Sequence, residues 1–258
     1  MARVIFRLAP WLSVAALAVA WELFARSGAV TPFMLPKFST VVERIWADGA
    51  SGDLWSNLGL TLYRSLFGFL IAAVLGIALG FAVSYNRLVR WLLDPVISVG
   101  FPMPKIAFLP IITLWLGFHD VSKISMVVFD AVFPVLTATI AATLAVEREL
   151  LWSASNLGAS RRELLHEVVF PAALPQIMTG LQVALPIALI VCIVAEMKLG
   201  GVGLGGAMIT ASRFADSPGV FAGIVEIAIA GYGLVKLMAA ARRRLLAWHP
   251  EALAPATV

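Results

Sequence analysis

The chain has 258 residues, of which 61% are hydrophobic and only 13% are charged. Soluble globular domains are about half apolar and about a quarter charged, so this composition excludes that class and predicts an all-α integral membrane protein. Cys192 is the only cysteine, which excludes an internal disulfide. The formal net charge of +4 is distributed over loops and one tail, a pattern that favours membrane orientation over nucleic-acid binding.

Six apolar segments are long enough, at about 20 residues, to cross a membrane as helices. They cover residues 8–24, 60–85, 91–116, 121–146, 171–197 and 218–241. We therefore predict about six transmembrane helices. Pro102, Pro104 and Pro110 remove backbone donors from the third segment, which we expect to be kinked or broken. The first segment also resembles a signal peptide, but no convincing cleavage site follows it, so we expect an uncleaved helix.

These segments divide the chain into three parts. Residues 1–59 are expected to form one transmembrane helix and an external segment, in which FSTVVERIWADG has the apolar spacing of a helix resting on the membrane surface. Residues 60–245 are expected to form the membrane core. Residues 246–258 are expected to form a cytoplasmic tail.

Basic residues in the loops indicate the orientation, because cytoplasmic loops carry an excess of Lys and Arg. With the N-terminus inside, ten arginines fall on the cytoplasmic side and five or six basic residues on the other. This distribution predicts that both termini and the polar stretch at 156–175 are cytoplasmic. The long segment 27–59 would then lie outside.

Motifs for chemistry within the chain are missing. A phosphate-binding P-loop requires Gly-Lys, and that pair does not occur. The glycines of GGVGLGG match a dinucleotide fingerprint by spacing, but they follow an apolar membrane segment and no βαβ pattern surrounds them. We interpret them as a flexible outer loop whose glycines permit tight turns. We predict no catalytic residue, no metal site and no cofactor in this chain.

Small residues at a spacing of four indicate helix packing. Gly76 and Gly80 form GIALG, and Gly219 and Gly223 form GVFAG. Both patterns allow membrane helices to approach closely. They predict a packed bundle and leave a dimer interface open.

Ionisable residues within the apolar segments are candidates for a translocation path, since each is costly in a membrane unless it is paired or hydrated. We name Lys105, Asp130 and Glu196 as candidates. Lys105 lies among prolines, so a broken helix and a cation coincide, as at substrate sites of transporters. The alternative is a structural pair of Lys105 with an acid, and the sequence leaves both open. Glu196 lies near a segment end, from which it could reach the interface.

The polar stretch NLGASRRELLHEVVFPAALP carries the most specific pattern in the chain. Gly158 is followed after nine residues by Val168-Val169-Phe170-Pro171. This pattern resembles the cytoplasmic signature of ABC-importer permeases, written EAA, three residues, G, nine residues, I-x-L-P. The resemblance covers nearly the whole chain from about residue 35. Within it, five further stretches resemble the nitrate/sulfonate/taurine branch of the family, namely LYRSLFGFLIAAVLGIALG, PKIAFLPIITLWLG, SKISMVVFDAVFP, VAEM and GLGGAMI.

The resemblance implies a short cytoplasmic coupling helix, at about residues 150–166, between the fourth and fifth transmembrane helices. Its coupling residues, carried over onto this sequence, are Trp152, Ala154, Gly158, Ala159, Ser160, Arg161, Arg162 and Pro171. The small residues would let an ATPase surface approach closely, the arginines would set orientation at the rim, and Pro171 would fix the angle at which the next helix leaves. One departure stands out, because Trp152 occupies the acidic first position of the signature.

The resemblance also implies the partners. They are two cytoplasmic ATPase subunits that bind ATP-Mg, a second permease copy that forms a homodimer, and an extracytoplasmic substrate-binding protein. The expected location is the bacterial cytoplasmic membrane, and the expected substrate is a small anion such as a sulfonate, nitrate or an aromatic acid, although related importers carry pyrimidine vitamin precursors. The alternative function is a secondary transporter or channel without an ATPase, which would predict inverted repeats that the sequence does not display.

Overall fold

The structure is a computed structural model that describes residues 2–249, with the side chains of residues 2–11 excluded. Most of the predicted tail at 246–258 therefore lies outside the described residues. Within the described range the chain is helical and contains no β-strand. The helices are α1 (Ala2–Arg26), α2 (Phe38–Ser51), α3 (Asp53–Tyr85), α4 (Arg87–Gly100), α5 (Leu109–Leu116), α6 (Asp120–Leu144), α7 (Arg148–Asn156), α8 (Arg161–Glu163), α9 (Phe170–Leu199), α10 (Leu204–Arg213) and α11 (Ser217–Leu245).

The predicted membrane segments form helices. Among the described residues, α3, α6, α11 and the helical run 161–199 that contains α9 are each long and apolar enough to cross a membrane. α4 and the segment 105–116 make a fifth candidate that is bent by 96° at a short break, as the three prolines predicted. α1 has 25 residues, about 37 Å at 1.5 Å per residue, which suits the expected first span.

The GIALG glycines bring α3 and α6 into close contact. A Cβ atom added at Gly76 would lie 2.8 Å from Cβ of Val135, and one at Gly80 would lie 2.5 Å from Cβ of Thr139. The contacts advance in the same direction along both helices, so α3 and α6 run parallel. The predicted role in packing is confirmed, and the contact lies within one chain.

The GVFAG glycines serve a second contact of the same kind. A Cβ atom at Gly219 would lie 3.0 Å from Cβ of Ala211, and one at Gly223 would lie 3.2 Å from Cβ of Met208. Ala211 and Met208 belong to α10, so the start of α11 packs against α10. α10 is a helix that the sequence analysis did not separate from its glycine-rich loop.

The chain divides into two compact units, and each is described by itself. The first contains residues 1–60 and 196–229, and the second contains residues 61–195 and 230–258.

In the first unit, the end of α1 holds the start of α2. The indole Nε1 of Trp21 donates to the carbonyl of Pro36 at 2.9 Å. The carboxylate of Glu22 accepts from the backbone N–H of Ser39 at 3.1 Å and from its hydroxyl at 3.0 Å. The helix predicted in FSTVVERIWADG is confirmed as α2, and these contacts fix its N-terminal end.

The glycine-rich stretch GGVGLGG is partly a turn and partly helix. Gly200, Gly201 and Gly203 have positive φ angles of 72°, 88° and 136°. L-residues rarely adopt this region, so the predicted use of these glycines in tight turns is confirmed. The expectation of a loop throughout is wrong for the last residues, because α10 begins at Leu204.

In the second unit, a small apolar cluster joins α3, α6 and α9. Ala142, Ala173 and Ile177 are its buried centre, and Ile77, Phe81 and Leu181 pack against them. Phe81 also stacks on Phe170, with 6.0 Å between the ring centroids. The first turn of α9 is thereby packed against α3.

Candidate functional site

The polar stretch predicted as one coupling helix forms two helices separated by a turn. α7 ends at Asn156, and α8 begins at Arg161. Gly158 has a φ of +87°, and the backbone N–H of Ala159 reaches back to the carbonyl of Ala154 at 3.1 Å. This closure of a helix by a left-handed residue explains the difference, because an α-helix cannot continue through a positive φ.

A capping box starts the second helix. The backbone N–H of Ser160 donates to the carboxylate of Glu163 at 2.6 Å, and the backbone N–H of Glu163 donates to the Ser160 hydroxyl at 3.4 Å. Each side chain therefore satisfies a backbone donor that the first helical turn leaves open. The left-handed turn at Gly158 and the cap at Ser160 together define a corner between α7 and α8.

The corner is a surface element. No residue of α7 is buried, the Trp152 side chain is 61% exposed, and Leu157 is 89% exposed. Gly158, Ser160, Arg161 and Arg162 are exposed, whereas Ala154, Ala159 and Pro171 are half-buried. Five of the predicted coupling residues are therefore exposed to a partner, namely Trp152, Gly158, Ser160, Arg161 and Arg162. The sequence analysis missed Leu157, whose signal was an apolar residue beside the signature glycine.

Pro171 lies inside a continuous helical run that begins at residue 161. The sequence analysis instead placed it at the start of the fifth membrane segment. A π-helical segment, Leu164–Val169, connects α8 to α9. The backbone N–H of Phe170 bonds to the carbonyl of Leu165, five residues earlier. The wider π turn accommodates a proline, which lacks an N–H and clashes with the carbonyl four residues earlier in a regular α-helix.

Lys105 and Asp130 form a buried pair at the break between α4 and α5. Lys105 Nζ lies 3.3 Å from Asp130 Oδ1, with the Lys105 side chain 5% exposed. The ammonium also donates to the carbonyl of Phe101 at 3.2 Å and lies 4.7 Å from the centre of the Phe133 ring. This arrangement corresponds to the structural pair that the sequence analysis left open. The bent chain exposes carbonyls that the lysine satisfies.

Glu196 is completely buried and is bound to the glycine turn. Its carboxylate accepts from the backbone N–H of Gly205 at 3.1 Å. A side chain at Gly203 would collide with this carboxylate. Asn57 completes the site, because its Oδ1 accepts from the backbone N–H of Gly203 at 2.8 Å. Glu196 therefore anchors the N-terminus of α10, where a negative charge is favoured by the helix dipole.

An ion pair between α3 and α6 was missed by the sequence analysis. Arg64 Nη2 lies 2.7 Å from Asp120 Oδ1, and the Arg64 side chain is 5% exposed. The signal was present, because Arg64 is the only charged residue in the apolar segment 60–85. A buried arginine in such a segment requires an acidic partner.

Comparison with known proteins identifies the family. Residues 68–246 match the model of the binding-protein-dependent transport system inner membrane component. The chain belongs to this family. It is 34% identical over 248 residues to the taurine transport system permease protein TauC of Escherichia coli K12, covering 93% of this chain and 90% of that protein. It is 31% identical over 229 residues to a putative aliphatic sulfonates transport permease protein, SsuC of Bacillus subtilis 168, covering 89% and 83%.

The fold of the permease is that of ABC-transporter membrane subunits. A crystal structure of an amino acid ABC transporter with histidines matches 76% of this chain and 95% of its own chain, with a TM-score of 0.62 and 18% sequence identity. The membership of the family also decides the class of activity. The chain is a multi-pass inner-membrane permease subunit of an ABC importer and not an enzyme, and ATP hydrolysis belongs to a separate subunit.

Proposed function

We propose that this permease forms a homodimer on two ATPase subunits that bind ATP-Mg. An extracytoplasmic binding protein delivers a small sulfonate to it. Both termini and the α7–α8 corner face the cytoplasm, and the corner is the seat of the ATPase. The observation that carries the proposal is the exposed corner at Gly158, where the chain turns with a positive φ and no residue of α7 is buried.

The corner offers an ATPase two kinds of contact. Leu157 and Trp152 supply apolar area on the exposed surface, which gives affinity when it is buried. Arg161 and Arg162 supply charges next to it, which steer the encounter and set its orientation. Gly158 has no atom within 4 Å of an added Cβ, so its outer side is open to a partner.

Movement of the corner passes directly to the membrane helices. α8, the π segment and α9 form one helical run from residue 161 to residue 199. The start of this run is packed on α3 and α6 through Ala173 and Ile177. When ATP binding closes the two ATPase subunits, the seated corners move and α9 moves with them. Each ligand shifts the balance between inward- and outward-facing states only by its different affinity for the two.

We assign Lys105 and Asp130 to the wall of the translocation path. Their pairing lets a broken helix carry a cation without an unpaired charge in the membrane. Glu196 has a comparable supporting role at the glycine turn, where it holds the N-terminus of α10.

The substrate assignment is supported by the relatives with the highest identity given above, whose names specify taurine and aliphatic sulfonates. A sulfonate is a small anion, which agrees with the class expected from the sequence. Discrimination between such anions would take place in the binding protein before the substrate reaches this chain.

The test is reconstitution of the complete importer. The chain is coexpressed with its genomic neighbours, purified through an affinity tag and placed in proteoliposomes with its binding protein. We expect copurification of an ATPase subunit and ATP-dependent uptake of labelled taurine or an alkanesulfonate. Uptake that proceeds without ATP or any recruited ATPase would instead support a secondary transporter or channel. ATP-dependent uptake of another solute only would refute the sulfonate assignment.

A further inference from the structure

The C-terminal half of α11, which belongs to the second unit, turns one face toward that unit. Leu234 and Met238 are buried on this face, four residues apart. Arg242 continues the same face, again four residues further on. Its guanidinium donates to the hydroxyl of Thr179 at 3.2 Å and to the side-chain carbonyl of Gln182, both in α9. These contacts hold the end of α11 against α9.

The opposite face of α11 carries two exposed cations, Lys236 and Arg243. They are seven residues apart, so they lie on the same side of the helix at a separation of about 10 Å along its axis. Each lies about 140–160° around the helix from the buried Met238. The residues between them on this side include Ala239 and Ala240, whose side chains are small. Two long basic side chains can therefore converge on one group that lies between them.

Lys236 supplies the observation that points to a ligand. It belongs to a helix that is long and apolar enough to cross a membrane, and its neighbour Leu237 is 63% exposed. The ammonium lies 5.2 Å from the centre of the Tyr232 ring, and no carboxylate among the described residues forms an ion pair with it. A cation on the exposed face of a membrane span is costly unless it is paired or reaches the headgroups. The apolar stem of a lysine allows its ammonium to reach that layer, so the missing anion lies there.

The sequence around these cations has the composition of a membrane–water boundary. Residues 227–250 include one lysine, three arginines and no acidic residue. Tyr232 and Trp248, which precede and follow the cations along the chain, are 54% and 59% exposed. Tyrosine and tryptophan are enriched at the level of the headgroups, and basic residues directly beyond a membrane helix attract anionic lipids. The charge of this face is therefore complementary to a phosphate group at that level.

We propose that the exposed face of α11 between Lys236 and Arg243 binds the phosphate of an anionic phospholipid from the surrounding membrane. The guanidinium of Arg243 donates to the phosphate oxygens, the ammonium of Lys236 donates from the acyl-chain side, and Arg244 adds charge beside them. The acyl chains lie along exposed apolar side chains such as Leu237. A peripheral acidic protein reaches the arginines but not Lys236, which lies inside the apolar span. The site requires only a membrane-spanning permease and is independent of substrate and ATPase.

The test is native mass spectrometry of the full chain, purified in mild detergent with the subunits that copurify with it. Phosphatidylglycerol is the anionic probe, and phosphatidylcholine is the probe without net charge. We expect Lys236→Gln/Arg243→Gln to weaken phosphatidylglycerol binding by about tenfold or more. Lys198→Gln/Arg213→Gln is the matched control, because it removes the same residue types at exposed positions of the first unit, and it should bind as the wild type does. Lys236→Arg/Arg243→Lys keeps both charges and should also retain binding.

Two results would overturn the proposal. One is a phosphatidylglycerol affinity of Lys236→Gln/Arg243→Gln within about twofold of that of the wild type, or equal binding of the two lipids by the wild type. The other identifies a second copy of the chain as the occupant, through Asp94, an exposed acid of α4. In that case Asp94→Asn and Lys236→Gln/Arg243→Gln would both shift the chain toward monomers. Loss of lipid binding with an unchanged oligomeric state and melting temperature would support the lipid site.

Discussion

Lys105 and Asp130 meet at a break where a membrane segment of this permease is bent by 96°, with 3.3 Å between Nζ and Oδ1. The contact ties the break after α4 to the middle of α6. Lys105 is 5% exposed and also satisfies carbonyls that the bend leaves open. The pair therefore stabilises an irregular backbone whose carbonyls are not satisfied by a regular helix.

We predict that Lys105→Met lowers stability because it leaves Asp130 without its cation. The loss should reach about 3 kcal/mol, the lower end for buried pairs, since Asp130 keeps 22% of its side chain exposed. The double variant Lys105→Met/Asp130→Asn should recover part of that loss. The measurement is thermal unfolding of the purified importer, combined with uptake. If Lys105→Met is as stable as the wild type but does not transport, the lysine contacts substrate directly.

The contact of α3 with α6 predicts a strong position dependence for glycine replacement. Gly76→Ala should cost about 1–3 kcal/mol, because its Cβ would lie 2.8 Å from that of Val135. Gly76→Leu should leave little folded protein in the membrane. Gly59→Leu is the control on the same helix, since nothing lies within 4 Å of an added Cβ there. Equal yields of the Gly76 and Gly59 variants would contradict the parallel packing.

Gly158 is predicted to couple ATP hydrolysis to uptake. Gly158→Trp should remain in the membrane and lose ATP-driven uptake, because the ring would occupy the open face of the corner. Gly158→Asn should retain most of the uptake, since Asn tolerates a left-handed conformation. Gly28→Trp is the control, with a φ of +77° and equally open surroundings. Normal uptake by Gly158→Trp would remove the corner from the ATPase interface.

The glycine turn predicts a difference between two alanine variants. Gly200→Ala and Gly203→Ala both place a side chain at positive φ, but only the Cβ at Gly203 meets the carboxylate of Glu196. Gly203→Ala should therefore lower the melting temperature more than Gly200→Ala does. Identical melting temperatures would show that the Glu196 contact adds nothing to the cost of the backbone strain.

Sequence reasoning succeeded where one local property decides the outcome. Apolar runs such as 60–85 and 121–146 predicted helices that the structure contains, because backbone groups in a membrane must be satisfied within the segment. Proline spacing predicted the break in the third segment. The spacing around Gly158 identified the family before any fold was known.

Sequence reasoning was incomplete where a partner comes from a distant element. It proposed an acid for Lys105 without choosing Asp130, and it missed the pair of Arg64 with Asp120 altogether. It also predicted one helix where Gly158 makes a corner, because a glycine in a polar stretch is compatible with either a helix or a left-handed turn.

The sequence by itself determined that this protein is a helical membrane permease of a binding-protein-dependent importer, since hydropathy and signature spacing are properties of the linear chain. Only the tertiary structure decided how its charges are satisfied. Buried ions such as Lys105 and Glu196 depend on the atoms that folding brings within hydrogen-bonding distance. Some of these atoms belong to residues far apart along the chain. Others are backbone atoms, whose geometry no residue type specifies alone.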